Sequence, residues 1–152
     1  CLEAMASGTA LARDALAAAR GRPRSGLGRA LAGGLAITSA LCVELAHDGD
    51  PAAQAVVAEV GRRLGVGIAG LANVFDPEIV VVGGGVMAAG ELLLGPAREV
   101  AAARALPPLG SLVRVEPARF GAESGMVGAA ALALEGLGRL PAGEPAGLGG
   151  GG

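Results

Sequence analysis

Phe75-Asp76-Pro77-Glu78-Ile79-Val80-Val81-Val82-Gly83-Gly84-Gly85-Val86 decides how this chain is to be read. Asp76-Pro77 stops whatever helix precedes it, because proline cannot donate to a helical carbonyl and restricts the residue before it. Glu78 to Val82 then predicts a buried strand, β-branched at four successive positions. Gly83, Gly84 and Gly85 end the strand where backbone N–H groups can approach a ligand that any Cβ would block. A helix after the turn would aim its positive end at the same place. Ligands of open α/β sheets sit at the carboxyl ends of strands. The turn therefore reads as a nucleotide-binding turn of an α/β protein, against the bland alternative of a tight turn that binds nothing.

The segments upstream are helical. Asp50-Pro51 is a start signal, with Asp able to accept from free N–H groups and Pro suited to the first helical position. Val56, Val57, Val60, Leu64, Ile68, Leu71 and Val74 follow near 3.6 spacing, so the helix should run to about Asn73 to Asp76. Gly61, Gly65, Gly67 and Gly70 within it would each weaken an isolated helix by roughly 1 kcal/mol. They make sense where another backbone packs tightly. Glu3 to Arg20 predicts a helix with a weak point at Ser7-Gly8-Thr9, Gly21 to Gly28 a turn, and Thr38 to His47 a short helix capped by Thr38 or Ser39. Downstream, Gly90 to Ala105 predicts a helix broken at Pro96, Leu112 to Glu116 a second strand, and Glu123 to Leu137 a last helix. Two strands flanking a helix suggest parallel pairing. Residues 1–138 form one expected lobe, and residues 139–152, with the Gly/Pro-rich Pro141 to Gly152, an expected disordered tail.

Composition narrows the class. The chain has 152 residues, 52% hydrophobic but only 1% aromatic, so the core must be Ala, Val, Leu and Ile, packed closely through small side chains. The formal charge of -2 gives no broad basic field for nucleic acid. Leu64 to Val82 is too interrupted to span a bilayer. Cys1 and Cys42 make no disulfide framework, and a cytoplasmic protein is the expectation. The first residue is Cys, which reads as a fragment or a processed chain.

Other candidates are poorer. Gly83, Gly85 and Ala88 fit the dinucleotide pattern G-x-G-x-x-A, but the ribose-binding acid should follow about 20 residues on, and Glu116 lies too far along. Cys42 among Leu41, Val43 and Leu45 reads as core, and His47 as a solvated residue near a helix C-terminus. Cys1-Leu2-Glu3 has almost no specificity alone.

Several segments together resemble the C-terminal half of a bacterial, actinobacterial-type glucokinase of the ROK family (repressors, open reading frames and kinases). They are Cys1-Leu2-Glu3-Ala4 with Ala6-Ser7-Gly8-Thr9, Asp48-Gly49-Asp50-Pro51-Ala52-Ala53, Gly65-Val66-Gly67-Ile68-Ala69, Phe75 to Val86, Gly90 to Arg98 and Gly121 to Ala130. The resemblance implies the C-terminal lobe of an actin-like, ribonuclease-H-like ATPase fold. It implies phosphoryl transfer from Mg2+·ATP to the 6-hydroxyl of glucose or a related hexose, and a homo-oligomer. In that family a Cys-x-Cys-Gly-x-x-Gly-Cys-Leu-Glu segment and an upstream His hold a structural Zn2+. Cys1 matches its last cysteine and Glu3 the glutamate that bonds sugar hydroxyls. Gly83, Gly84, Gly85 and Val86 match the adenosine motif. The other zinc ligands, the phosphate loop and the Asn-Asp pair carrying the catalytic base have no counterpart in these 152 residues. The base is therefore expected upstream, and no catalytic residue is assigned here. A ROK-type transcriptional repressor binding a sugar, and through it nucleic acid, is the alternative within the family. A NAD-binding domain is the alternative outside it.

Overall fold

The computed structural model describes residues 1–107 and 113–137. The predicted tail and Leu112 lie outside the described residues. The N-terminal helix is two helices, α1 (Leu2–Ala6) and α2 (Gly8–Gly21), not one. Ser7 is extended between them, and its hydroxyl accepts from the Ala10 N–H at 3.3 Å, so the weak point became a cap. The predicted turn at Gly21 to Gly28 is also corrected, because α3 (Gly26–Ala32) starts inside it, capped by Ser25. Gly28 looks like a turn residue, yet its Cβ would overlap the backbone of Arg22 and Pro23. The glycine serves a close approach. α4 (Ser39–His47) is capped by Thr38, which accepts from Leu41 N at 3.1 Å.

α5 (Pro51–Phe75) is the spine, and its bounds match the start and stop signals. Asp50 caps it by accepting from Ala53 N at 2.8 Å, and its other carboxylate oxygen accepts from Gly26 N. One side chain thus satisfies one free N–H group at each of two helix starts. Asp76 ends α5 in the left-handed region (φ 46). α6 (Glu91–Arg104) lies against α5 so closely that a Cβ on Gly61 would overlap the Leu93 carbonyl, and one on Gly65 the Ala97 carbonyl. Gly67 instead faces the Leu2 side chain, and Gly70 faces open space. Pro96 does not break α6. Its fixed φ suits a helix, it costs one backbone hydrogen bond, and burial of Leu93, Leu94, Ala97 and Ala101 holds the helix together.

β1 (Ile79–Val82) pairs in parallel with β2 (Arg114–Pro117), from Ile79 opposite Arg114 to Val82 opposite Pro117. The strand is not buried as expected. Val80 and Val82 face Ile68 and Leu94, whereas Ile79 and Val81 are exposed. The four β-branched residues imply cover on both faces, and the described residues cover one. After a 3-10 turn at Gly121–Glu123, α7 (Ser124–Gly136) closes the described chain with no buried residue. The core is aliphatic and small, led by Leu11, Leu27, Cys42, Val57, Val60 and Leu93, and no buried residue of the described chain is polar or charged. No described helix is long and apolar enough to cross a membrane.

Candidate active site

A cleft of about 860 Å³ opens between α1, the start of α2, α4 and the end of β1. Its floor is apolar, made by Leu11, Val43, Leu64 and Val82. Glu3 of α1 stands on its rim, exposed, and Gly83, Gly84, Gly85 and Val86 also line it. The residues picked from two distant sequence segments therefore share one site. Cys1 does not line it; its thiol is free and exposed, and no group of three or more His, Cys, Asp or Glu among the described residues could hold a metal ion.

The glycines are used in two ways. Gly84 takes φ 93, a conformation that side chains rarely adopt. An added Cβ would meet nothing within 4 Å at Gly84 or Gly85, so a ligand can come close to the backbone there. Gly83 is more enclosed, with Ala118 Cβ 3.4 Å from where its Cβ would be. The turn is tied to the next strand's loop by Gly84 N donating to Gly121 O at 3.4 Å, and Ser124 Oγ donates to the same carbonyl at 2.7 Å.

No α-helix starts at the glycines. A 3-10 turn, Gly85–Ala89, comes first, and α6 follows Gly90 (φ 55). The helix expected from Gly90 is α6, and the 3-10 turn separates its start from the glycines. On its other side the turn borders a recess of about 460 Å³ formed with Glu91 and the Pro117–Arg119 loop. Glu91 is held there by Arg98 at 2.6 Å. Glu116, opposite Val81 at the end of β2, lines neither recess but a separate hollow with Arg98 and Arg114. The dinucleotide reading loses its acid by position as well as by spacing.

α4 supplies what the sequence did not reveal. Ser39, Glu44 and His47 line the cleft opposite the glycines. His47 is exposed but not merely solvated, because its Nε2 lies 3.0 Å from the Ala88 carbonyl, 41 residues away. Its partner sits in another segment, so no local pattern could reveal the bond. Cys42 is core as expected; burial, helped by the Asp50 charge, pushes its thiol up to about 11.

The sequence profile of the ROK family matches residues 1–136. The chain belongs to the ROK family. It is 34% identical over 139 residues to a glucokinase of Thermotoga maritima, covering 91% of this chain and 44% of the relative. A ROK family glucokinase from Streptomyces griseus, solved with glucose and AMPPNP, superposes with a TM-score of 0.78 at 36% identity, covering 87% of this chain and 44% of that one. A ROK family transcriptional regulator, a homolog of the E. coli MLC protein, superposes with a TM-score of 0.72 at 31% identity, covering 86% of this chain and 32% of that one. The ROK chain thus spans less than half the length of these relatives. Its mixed helices and small parallel sheet are part of a lobe of the actin-like ATPase fold.

Proposed function

We propose that this chain supplies the adenosine wall and one hexose contact of a glucokinase-type site that transfers the γ-phosphoryl of ATP to the 6-hydroxyl of glucose. The observation that carries this reading is the cleft that Glu3 shares with Gly83, Gly84 and Gly85. Glucokinase relatives and the glucose and AMPPNP complex of one of them support it. Glu3 is the acceptor for sugar hydroxyls, because an ionised carboxylate can accept two and fix a ring's orientation. The open backbone at Gly84 and Gly85 receives the adenosine end of the nucleotide. Phosphoryl transfer needs positioning, charge neutralisation and a base for the hydroxyl. Mg2+ would arrive with ATP and neutralise phosphate charge; the described residues hold no ligand set for it. They do not make a zinc site either, since Cys1 contributes a single thiolate and tetrahedral zinc needs four ligands. Cys1 is therefore at most one ligand of a site completed by residues outside this chain. The base belongs to the remainder of the enzyme, which acts as a homo-oligomer in the cytoplasm.

The test is ATP-dependent phosphorylation of a hexose panel by the complete polypeptide that carries this sequence. Glucose 6-phosphate and ADP should form in equal amounts, and Glu3→Gln should raise the glucose KM at least tenfold. The 152 residues alone should be inactive, and robust turnover by them would sink the assignment of the base to another part of the chain. A sugar-binding repressor is the second reading, favoured by the regulator's superposition. Operator binding released by a sugar, without phosphorylation, would establish it instead.

A further inference from the structure

The turn after β1 has few directional ties to the rest of the molecule, the Gly84 N to Gly121 O bond being one. Gly84 (φ 93) and Gly90 (φ 55) flank Gly85–Ala89 at both ends, each in a conformation that only glycine takes easily. The bonds inside the turn, Met87 N to Gly84 O at 3.1 Å and Gly90 N to Met87 O at 3.0 Å, keep its shape. They do not fix it against the facing wall. Ala89 is buried and Val86 and Met87 pack beside it, but apolar contact is non-directional and tolerates sliding. The directional tie on the cleft side is His47, whose Nε2 donates to the Ala88 carbonyl at 3.0 Å. Among the described residues this is the one side-chain hydrogen bond onto Gly83–Gly90. The arm that carries it is rigid, because α4 is capped by Thr38 and buries Cys42, Val43 and Ala46 in the core. A carbonyl only accepts, so Nε2 carries the proton of this bond.

We infer that His47 is a positioning residue for the nucleotide: by holding the Ala88 carbonyl it fixes the turn against α4, and so sets where Gly84 and Gly85 meet adenosine. This rests on the nucleotide reading of the cleft. His47 lines the cleft, and the role inferred for it is through the turn, not through contact with sugar or phosphate. Its loss should act through the turn alone, and because the side chain is exposed, removing it leaves no cavity.

The experiment measures ATP and glucose KM and kcat for the complete polypeptide as wild type, His47→Ala and His47→Gln. Calorimetric binding of ATP, which needs no turnover, is run alongside. One hydrogen bond predicts a three- to tenfold weaker ATP affinity in His47→Ala, roughly the range such a bond supplies. The glucose KM should stay within twofold, and kcat should fall by less than the ATP KM rises. Gln carries an amide N–H at about the reach of Nε2 and should recover most of the affinity. Unchanged ATP affinity in His47→Ala, equal losses for ATP and glucose, or no recovery with Gln would each overturn the inference. Wild type that binds ATP without phosphorylating sugar refutes the kinase reading and leaves His47 tested by calorimetry. Wild type that binds no ATP refutes both.

Discussion

Gly61 and Gly65 on α5 and Gly84 and Gly85 after β1 differ in what stands where a side chain would be. At the first pair it is backbone, the carbonyls of Leu93 and Ala97 on α6. At the second pair it is nothing within 4 Å. The α5 glycines give up helix propensity so that two helices can touch at their backbones, and the gain is packing density in a core without aromatics. The turn glycines pack against nothing there, and their vacant volume faces a cleft. At Gly61 and Gly65 the space is filled by the fold, while at Gly84 and Gly85 it is left open beside the cleft, where the proposed nucleotide would approach.

The sharpest way to break this contrast is to add one methyl to each site. Gly61→Ala or Gly65→Ala must push α6 away from α5, and net of the better helix propensity of alanine each should cost about 2 kcal/mol. Urea unfolding should show the midpoint falling with little change in slope. An unaffected midpoint would mean the helices do not touch at these points. Gly85→Ala should do the reverse, leaving the midpoint within about 0.5 kcal/mol while weakening ATP binding by the complete polypeptide about tenfold, as calorimetry would read it. Stability and binding that fall together there would erase the distinction between the two pairs. Gly70→Ala is a control within α5. It faces open space, so the substitution should stabilise by up to about 1 kcal/mol, seen as a higher thermal midpoint.

A smaller effect probes the ion pair between Asp14 of α2 and Arg63 of α5. Burial would raise the Asp14 carboxyl, but hydrogen bonds from Arg13 and Arg63 and their charges outweigh it and hold Asp14 below its ordinary value. A depressed folded pKa contributes stability above the unfolded pKa and loses it as pH falls through the folded one. Asp14→Asn should therefore cost well under 1 kcal/mol near neutral pH, as partly exposed pairs do. The difference from wild type should shrink as pH falls below the ordinary carboxyl value of 3.8 and through the lowered folded one. Denaturant titrations at pH 7 and pH 3 would check it.

Much of this was legible in the sequence, and what was not has physical reasons. Asp50-Pro51 and Asp76-Pro77 framed α5 because caps and prolines act locally. The family resemblance pairs the glycine run with Glu3, but their meeting in one cleft is tertiary and no local pattern shows it. The start of α3 stayed hidden because Gly26 and Gly28 look like turn residues until the chain packing beside them is known. Pro96 was misread because helix packing can outweigh one lost hydrogen bond. The exposure of β1 was missed because four β-branched residues report the burial a strand is made for. His47 needed a partner 41 residues away.

The same strand has a consequence for handling. Among the described residues β1 pairs only with β2, so its other edge offers bare amides and carbonyls beside exposed Ile79 and Val81. A hydrophobic edge of that kind is a template for foreign strands. Concentrated as this 152-residue polypeptide, the protein should accumulate β-rich aggregates faster than first order in concentration. Anything that caps β1 should act as its solubility factor.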